Sequence, residues 1–446
     1  YFFLYHKFLI PSTPKIVHLQ PMKNKQAITL LFIANIISGF AQGISMLAIP
    51  WYFADILKLP RVYALGYAIL TFLSLFWSLY SGTLIDKYSR KKMFLYSNLC
   101  CALLIGTIAC FGIINEGTPW ILALLVFGIT MFHYNIHYPN LYAFGQEISD
   151  PKDYGKLNSY IEIQGQSTSI FAGGFAALLL TGTSGNNLNI LGLEIPMPFE
   201  IEKWQIHEIF LMDSITYALA FIIILFIKYK PLENKIVDVG SVFDRLSQGI
   251  NFLKSNYLLF IFGLCSYMIF TFLIVEMFIL VPNYVSNYLL EGGNVFASSE
   301  VYYSIGAVIS GISIRKLFDK KNPVFGVIVM MIATILSCFI LIFTKNVFAF
   351  YFVSFIIGIS NAGTRILRIT YLFSHIPNHI IGRVGSVFNC MSVIIRTVLI
   401  SIFTMKFFSQ GDTIKWGYLI GIILLTIALI PLIRNYKKLV NLKATS

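Results

Sequence analysis

Charge is what this chain has least of. Only 12% of its 446 residues are Asp, Glu, Lys or Arg, against 57% hydrophobic, and the mean hydropathy is +0.75. A water-soluble domain carries roughly 25% charge. A chain this poor in charge cannot cover a water-facing surface, so its main solvent must be lipid. Acids are scarcer than bases, and the formal net charge is +13. In a soluble protein that excess points to nucleic acid. Here the cations sit in alternate connections between apolar runs, so orientation in a bilayer explains them and no nucleic acid is expected. Chemistry-bearing motifs are missing as well. No Cys-x-x-Cys pair occurs, and the 6 cysteines all lie in apolar runs, as small buried hydrophobes do. No Gly-x-x-x-x-Gly-Lys-Ser/Thr run, nucleophile elbow or metal-ligand set is present. This excludes a Walker-type ATP motor and leaves no enzyme activity, metal or other cofactor to expect.

What is there is a series of long apolar segments. Twelve can be marked, at 27–57, 61–85, 93–115, 119–143, 157–182, 207–228, 256–282, 297–317, 324–344, 346–373, 384–407 and 414–433. Each is near or above the ~20 residues that span a bilayer. Segment 297–317 is the least apolar, because it opens with Ser298, Ser299 and Glu300. The connections divide by charge. One side collects clusters such as Lys87, Arg90, Lys91 and Lys92, or Arg434, Lys437 and Lys438; the other holds only Lys58, Arg61, Lys203, Lys345, Lys406 and Lys415. That asymmetry places both termini in the cytoplasm of a multi-pass plasma-membrane protein, the inner membrane in a bacterium.

The chain is also built twice. Ser81–Lys92 reads Ser-Gly-Thr-Leu-Ile-Asp-Lys-Tyr-Ser-Arg-Lys-Lys, and Ser310–Lys321 reads Ser-Gly-Ile-Ser-Ile-Arg-Lys-Leu-Phe-Asp-Lys-Lys. The Ser, Gly and most cations recur in register, while Asp86 faces Arg315 and Arg90 faces Asp319. A second echo pairs Gly155, Lys156 and Ser159 with Gly382, Arg383 and Ser386. The halves meet at the long internal connection, where Val242, Leu246, Ile250 and Leu253 recur at helical spacing and predict an amphipathic helix on the membrane surface. The expected domains are residues 22–230 and 256–446, each a six-helix bundle, with 231–255 as linker. Residues 1–21 are expected to be an extension outside the fold, since Met22 reads as a natural start.

Gly82, Leu84, Asp86, Arg90 and Lys91 match the Gly-x-Leu-x-Asp-Arg-x-Gly-Arg-Lys signature found between spans two and three of the major facilitator superfamily, which the chain resembles over about residues 22–440. Lys87 stands for one Arg and Ser89 for the second Gly. The Gly-Arg-Val-x-Ser run at Gly382–Ser386 is similar to the branch of macrolide and siderophore exporters and lysophospholipid transporters. The resemblance implies an all-α membrane protein with twelve transmembrane helices in two pseudo-symmetric six-helix halves. It implies a secondary transporter, with a small-molecule substrate and protons as partners and a monomeric state. By the same resemblance Asp86 faces the helix start near Gly382–Gly385, and Arg90 faces Glu147, Asp150 or Asp153. Gly82, Asp86, Arg90, Lys91 and Arg383 are therefore expected to take part in gating. The exporter signature of span five is not met, because Gly165, Gly173 and Gly174 are present without its Pro.

Polar residues inside spans are costly and mark function. Arg365 and Arg368 share a helix face with Asn361, and Glu162 lies at similar depth on span five, which suggests an inner gate of Glu162 with either arginine. Asn35, Ser38, Gln42 and Ser45 make one polar stripe on span one, as a cavity wall does, while Gly39 and Gly43 favour close helix packing. His133, His137 and Asn140 share a face of span four. The two histidines lack both the Glu of a zinc motif and a third ligand, so cavity lining or helix–helix hydrogen bonding is expected instead. Arg396 is placed at mid-depth and would hold an anion. Asp55, Asp213 and Glu276, expected near the outer face, are the carboxylates to which proton coupling points, with His133 beside them.

Overall fold

The structure is a computed structural model that describes residues 24–150, 153–183, 187–196, 200–228, 242–318, 322–377, 380–409 and 411–443. Its helices are α1 (Lys25–Ile56), α2 (Pro60–Lys87), α3 (Arg90–Ile114), α4 (Trp120–Glu147), α5 (Tyr154–Thr181), α6 (Ile206–Leu225), α7 (Val242–Ser255), α8 (Tyr257–Leu289), α9 (Gly293–Phe318), α10 (Pro323–Phe343), α11 (Val347–His375), α12 (Ile381–Phe403), α13 (Trp416–Arg434) and the short α14 (Tyr436–Val440). Among the described residues, eleven helices are long and apolar enough to cross a membrane. The expected twelfth is α5, 28 residues long and close to its predicted bounds. Asn158, Ser159, Gln164 and Gln166 dilute its apolar character. The amphipathic connection forms α7 as predicted, though Ile250 of its apolar stripe is exposed and Gly249 and Leu253 are the buried positions.

The outward faces are apolar. Leu336, Phe339 and Phe343 on α10 are all exposed, as are Phe72 and Phe76 on α2. Contiguous patches of this kind mark a surface that meets something other than water. With lipid on that side, helices gain nothing by hiding hydrocarbon, and small residues that let backbones approach set the packing. The closest crossing is α9 on α11. A Cβ at Gly306 would lie 2.2 Å from the Phe355 carbonyl oxygen, and one at Gly358 would lie 2.0 Å from the Tyr303 carbonyl oxygen. Gly39, the first of the glycine pair legible in α1, makes no such crossing, for a Cβ there would meet only the Thr168 methyl at 3.7 Å.

Helix ends are closed by side chains. Asn322 and Asn346 accept from Val324 and Ala349 and cap α10 and α11. The Tyr284 hydroxyl donates to the carbonyls of Leu341 and Thr344 at the end of α10. Both α1 and α8 end in a π-helical turn, Tyr52–Ile56 and Val285–Leu289, followed by a residue of positive φ, Lys58 at 53° and Leu290 at 60°. Two first helices that stop by the same uncommon device are the structural counterpart of the repeated sequence.

Contacts divide the chain into two compact units that cut three helices part-way. The first holds α1 up to Ser45, Phe76–Thr168 and, from His207, α6. Its core joins Ala27 and Leu31 of α1, Phe94 of α3, Phe144 of α4, Leu157 of α5 and Ile224 of α6. The second holds Met46–Leu75, Ser169–Ile206 and everything from α7 onward. The outer portions of α1, α2 and α5 therefore pack in one unit with the later helices. An antiparallel hairpin, Asn187–Ile190 with Leu193–Pro196, belongs to this unit and was not legible as strand in the sequence.

Candidate functional site

In the first unit, α1, α4 and α5 join through a chain of amides. Asn35 Nδ2 donates to Gln164 Oε1 at 2.6 Å, and His137 Nε2 lies 2.6 Å from Asn35 Oδ1. Because the Asn35 amide nitrogen serves Gln164, its oxygen must accept from the histidine, which fixes the proton of His137 on Nε2. His133 lies one turn earlier, its ring tilted against His137 and edge-on to Tyr217 of α6, with centroids 5.0 Å from each. Asp213 lies one turn before Tyr217 and is fully buried, as is Ser45 beside it. Asn35, Ser38, Gln42, His133 and His137, the residues expected to line a cavity, are all buried in this unit. Asp213 thus faces the interior of the bundle.

The signature turn belongs to the same unit. The side chains of Gly82, Asp86 and Glu162 lie outside the described residues, as do Arg315 and residues 319–321, so the docking of Asp86 and the pairing of Glu162 stay expectations. Ser89 is extended, with φ −61°, so the turn does not require the glycine it replaces. Arg90 donates to the Ile85 carbonyl and its Nε lies 3.7 Å from Glu147 Oε1, which makes Glu147 the acid in reach of the three expected. Asn140 donates to the Arg90 carbonyl at 2.9 Å. The Lys91 ammonium donates to the carbonyls of Leu225 at 2.9 Å and Ile227 at 2.8 Å. It closes the end of α6, where orphan carbonyls and the negative end of the helix dipole favour a cation. Lys91→Met should cost about 1 kcal/mol, while Lys92→Met should cost nothing measurable. Thermal unfolding of the two variants in detergent checks this.

In the second unit the arginines of α11 and α12 have distinct fates. Arg368 is buried, donates to the Ser266 carbonyl at 3.0 Å and sits over the Tyr267 ring, 3.8 Å from its centroid. It fastens α11 to α8. Arg365 is half-buried, and Asn361 donates to the Tyr303 hydroxyl at 2.6 Å across the glycine crossing. Arg383 binds Gln248 of α7, and a Cβ at Gly249 would lie 2.6 Å from the Arg383 carbonyl oxygen, so the linker helix rests directly on the first turn of α12. Arg396 is buried with no hydrogen bond or ion pair to any described residue; Tyr67 is its electrostatic neighbour. Glu276 opens a π-helical turn, Glu276–Leu280, and accepts from the Tyr418 hydroxyl at 3.3 Å. Glu300 of α9 is its electrostatic neighbour. Sequence reasoning passed over Glu300, although a glutamate opening an otherwise apolar segment was the available signal.

The hairpin end of this unit is clasped shut. Asp55 takes Lys58 at 2.9 Å and the Ser286 hydroxyl at 2.9 Å on the same oxygen, so the two repeat-related π turns touch. Arg61 donates to the Thr404 carbonyl at 2.9 Å. Trp51 stacks on Phe296 at 5.7 Å, and Tyr67 meets Phe278 edge-on at 5.7 Å. A Cβ at Gly173 would lie 3.2 Å from the Ala297 carbonyl oxygen, which brings α5 onto α9. The hairpin turns at Leu191 and Gly192, both of positive φ, as a type I′ turn requires. A leucine there is strained. Its N–H donates to Ser298 and its carbonyl accepts from Tyr302, so α9 holds it in place.

A family model described as Major Facilitator Superfamily matches residues 31–400. The chain belongs to that superfamily. It is a transporter fold rather than an enzyme fold, with twelve helices in two related halves. Among solved structures it is similar to a bacterial homologue of the iron transporter ferroportin in an inward-facing state, with 13% identity, TM-score 0.67, and 92% of this chain and 98% of that one covered. It is similar also to the nucleoside transporter NupG, with 13% identity, TM-score 0.64, and 92% and 99% covered. A D-xylose–proton symporter aligns with 10% identity, TM-score 0.63, and 91% and 96% covered. Identities this low speak to fold alone. No curated protein matches the chain.

Proposed function

We propose that this member of the superfamily moves a small amphipathic molecule by alternating access and exports it against coupled proton entry. The observation that carries the reading is the clasp. Asp55, Lys58, Arg61, Ser286 and Thr404 hold the ends of α1 and α2 to α8 and α12 through a few polar contacts that a rocking motion can break and remake. We take it as the outer gate in its closed state, in a monomer with both termini on the cytoplasmic side of the plasma membrane and the two halves joined through α7. A transport-inactive receptor of the same fold would have no need to bear the insertion cost of Asp213, Glu276 and Arg396.

One observation favours a second reading of the substrate. Arg396 is buried with no acid beside it among the described residues, which suits a lipid-like or otherwise anionic solute, taken up or flipped. The test is to profile compounds that accumulate when the gene is lost, then to follow the same compound in proteoliposomes under an imposed pH gradient. Flux should rise at least several-fold when the gradient is applied. A flux indifferent to the gradient removes proton coupling, and no flux of any accumulating compound removes transport.

A further inference from the structure

Three carboxylates are candidates for coupling, and the geometry separates them. Asp55 is held by Lys58 and Ser286, and Glu276 accepts from Tyr418. Asp213, at 0% exposure, has no ion pair with any described residue, and the Ser45 hydroxyl is the polar side chain beside it. In the same unit lie other buried polar atoms without hydrogen-bond partners among the described residues: Gln42 Nε2, the Tyr217 hydroxyl and both ring nitrogens of His133. Native interiors satisfy nearly all such atoms, so four more donors and acceptors in one bundle point to a ligand, water or ion that they share. The histidine, tyrosine and lone carboxylate make a poor metal set, and no group of His, Cys, Asp and Glu able to hold a metal occurs among the described residues. They make a good proton set.

We propose that Asp213 is the proton-binding site of this transporter, reached along His137, His133 and Tyr217 with enclosed water completing the path, while Asn35 and Gln164 of α5 hold the His137 tautomer. The inference rests on the transporter reading above and names its coupling site. Every link lies within the first unit. Asp213 and Tyr217 share a face of α6 one turn apart, Tyr217 packs edge-on to His133, and the His133 ring lies tilted against His137. His137 carries its proton on Nε2, toward Asn35, and leaves Nδ1 as a bare acceptor. A proton arriving on His137 Nδ1 is passed to His133 and, through water or the Tyr217 hydroxyl, to an Asp213 oxygen. The carboxylate becomes a carboxylic acid and both imidazoles return to neutral. The groups that face this path are Cys101 of α3 near Asp213, Tyr138 of α4 near Tyr217, and Ser45 of α1. No fixed cation is among them, so a charged Asp213 has nothing to hold it and a proton removes the cost.

Infrared titration of the full-length protein in phosphatidylcholine vesicles, between about pH 4 and pH 9, tests this without a substrate. Among the buried carboxyl stretches of the wild type that titrate, Asp213→Asn should lose one, which Glu276→Gln and Glu300→Gln leave in place, while keeping its thermal unfolding point. His133→Gln should keep the band but slow its appearance after a pH jump at least tenfold, an effect that a packing role alone does not produce. Should Asp213→Asn fail to fold, Ser45→Ala must shift the band. A band unchanged by Asp213→Asn or Ser45→Ala, unslowed by His133→Gln, or abolished by sodium at fixed pH would overturn the assignment. The band is read with no transport occurring, so a protein that carries no compound but shows it keeps the site and loses the function.

Discussion

Gly358→Ala should lower the unfolding temperature more than any other single-methyl addition in the chain. The α9–α11 crossing is built from backbone against backbone: Gly358 over the Tyr303 carbonyl and Gly306 over the Phe355 carbonyl, with hypothetical Cβ atoms at 2.0 and 2.2 Å. A methyl there cannot be absorbed by a side chain swinging away. The two helices must separate by about 1 Å or more, and the contacts on both sides of the crossing loosen with them. Overpacking typically costs ~1–3 kcal/mol, and with backbone as the obstacle the upper end applies. In a chain of this length that corresponds to a fall of roughly 3 °C for each glycine. The double variant should fall by less than the sum, since the first methyl already parts the helices. Gly311, also on α9, has nothing within 4 Å of its Cβ position, so Gly311→Ala is the control and should leave the temperature unchanged or raise it. Unfolding followed by size-exclusion chromatography of the detergent-solubilised protein measures all four. A fall of less than about 1 °C for Gly358→Ala would mean that the crossing yields without cost.

That crossing shows which parts of the fold a sequence reveals. Helices of about 20 apolar residues announce themselves because the bilayer demands them, and the repeat announced itself in Ser81–Lys92 and Ser310–Lys321. Neither tells which glycines meet backbone. Gly39 and Gly43 carry the familiar small-residue spacing, yet the tight contact is made by Gly306 and Gly358 from different helices, which no local pattern links. The hairpin escaped for a related reason. Asn187–Pro196 is short, and its turn rests on a strained Leu191 whose backbone is held by Ser298 and Tyr302, more than 100 residues away. That Asp213 is wholly enclosed was not legible either, because position along a helix says how far a residue is from the end, not which way the bundle faces it. Arg368 and Arg365 share a helix face in sequence, but Arg368 is turned onto Tyr267. The resemblance served better at the signature turn. Arg90 lies 3.7 Å from Glu147, one of the three acids that the resemblance implied, across neighbouring helices of one unit.

Arg396→Ala should abolish transport while leaving the fold intact. The guanidinium sits in α12 among buried residues, without an ion pair or hydrogen bond to any described residue, and with Tyr67 as its neighbour. A structural arginine in lipid is normally spent on a carbonyl or an acid, as Arg368 is on Ser266. An unspent one keeps its donors for something that comes and goes. Removing a positive charge that had no internal partner leaves no orphaned acid behind, so the expected loss of stability is small. The expected loss of affinity is large. A charge-assisted hydrogen bond out of water contributes about 2–3 kcal/mol, or roughly 30- to 150-fold in apparent affinity. Arg396→Lys keeps the charge but not the planar fork, so it should recover only part, with a several-fold residual defect if the substrate's anion is a carboxylate or phosphate. Counterflow of the accumulating compound in proteoliposomes reads both variants. An amphipathic substrate without an anionic group predicts the opposite order: Arg396→Ala would transport as well as the wild type, and relieving an unpaired buried cation would raise the unfolding temperature.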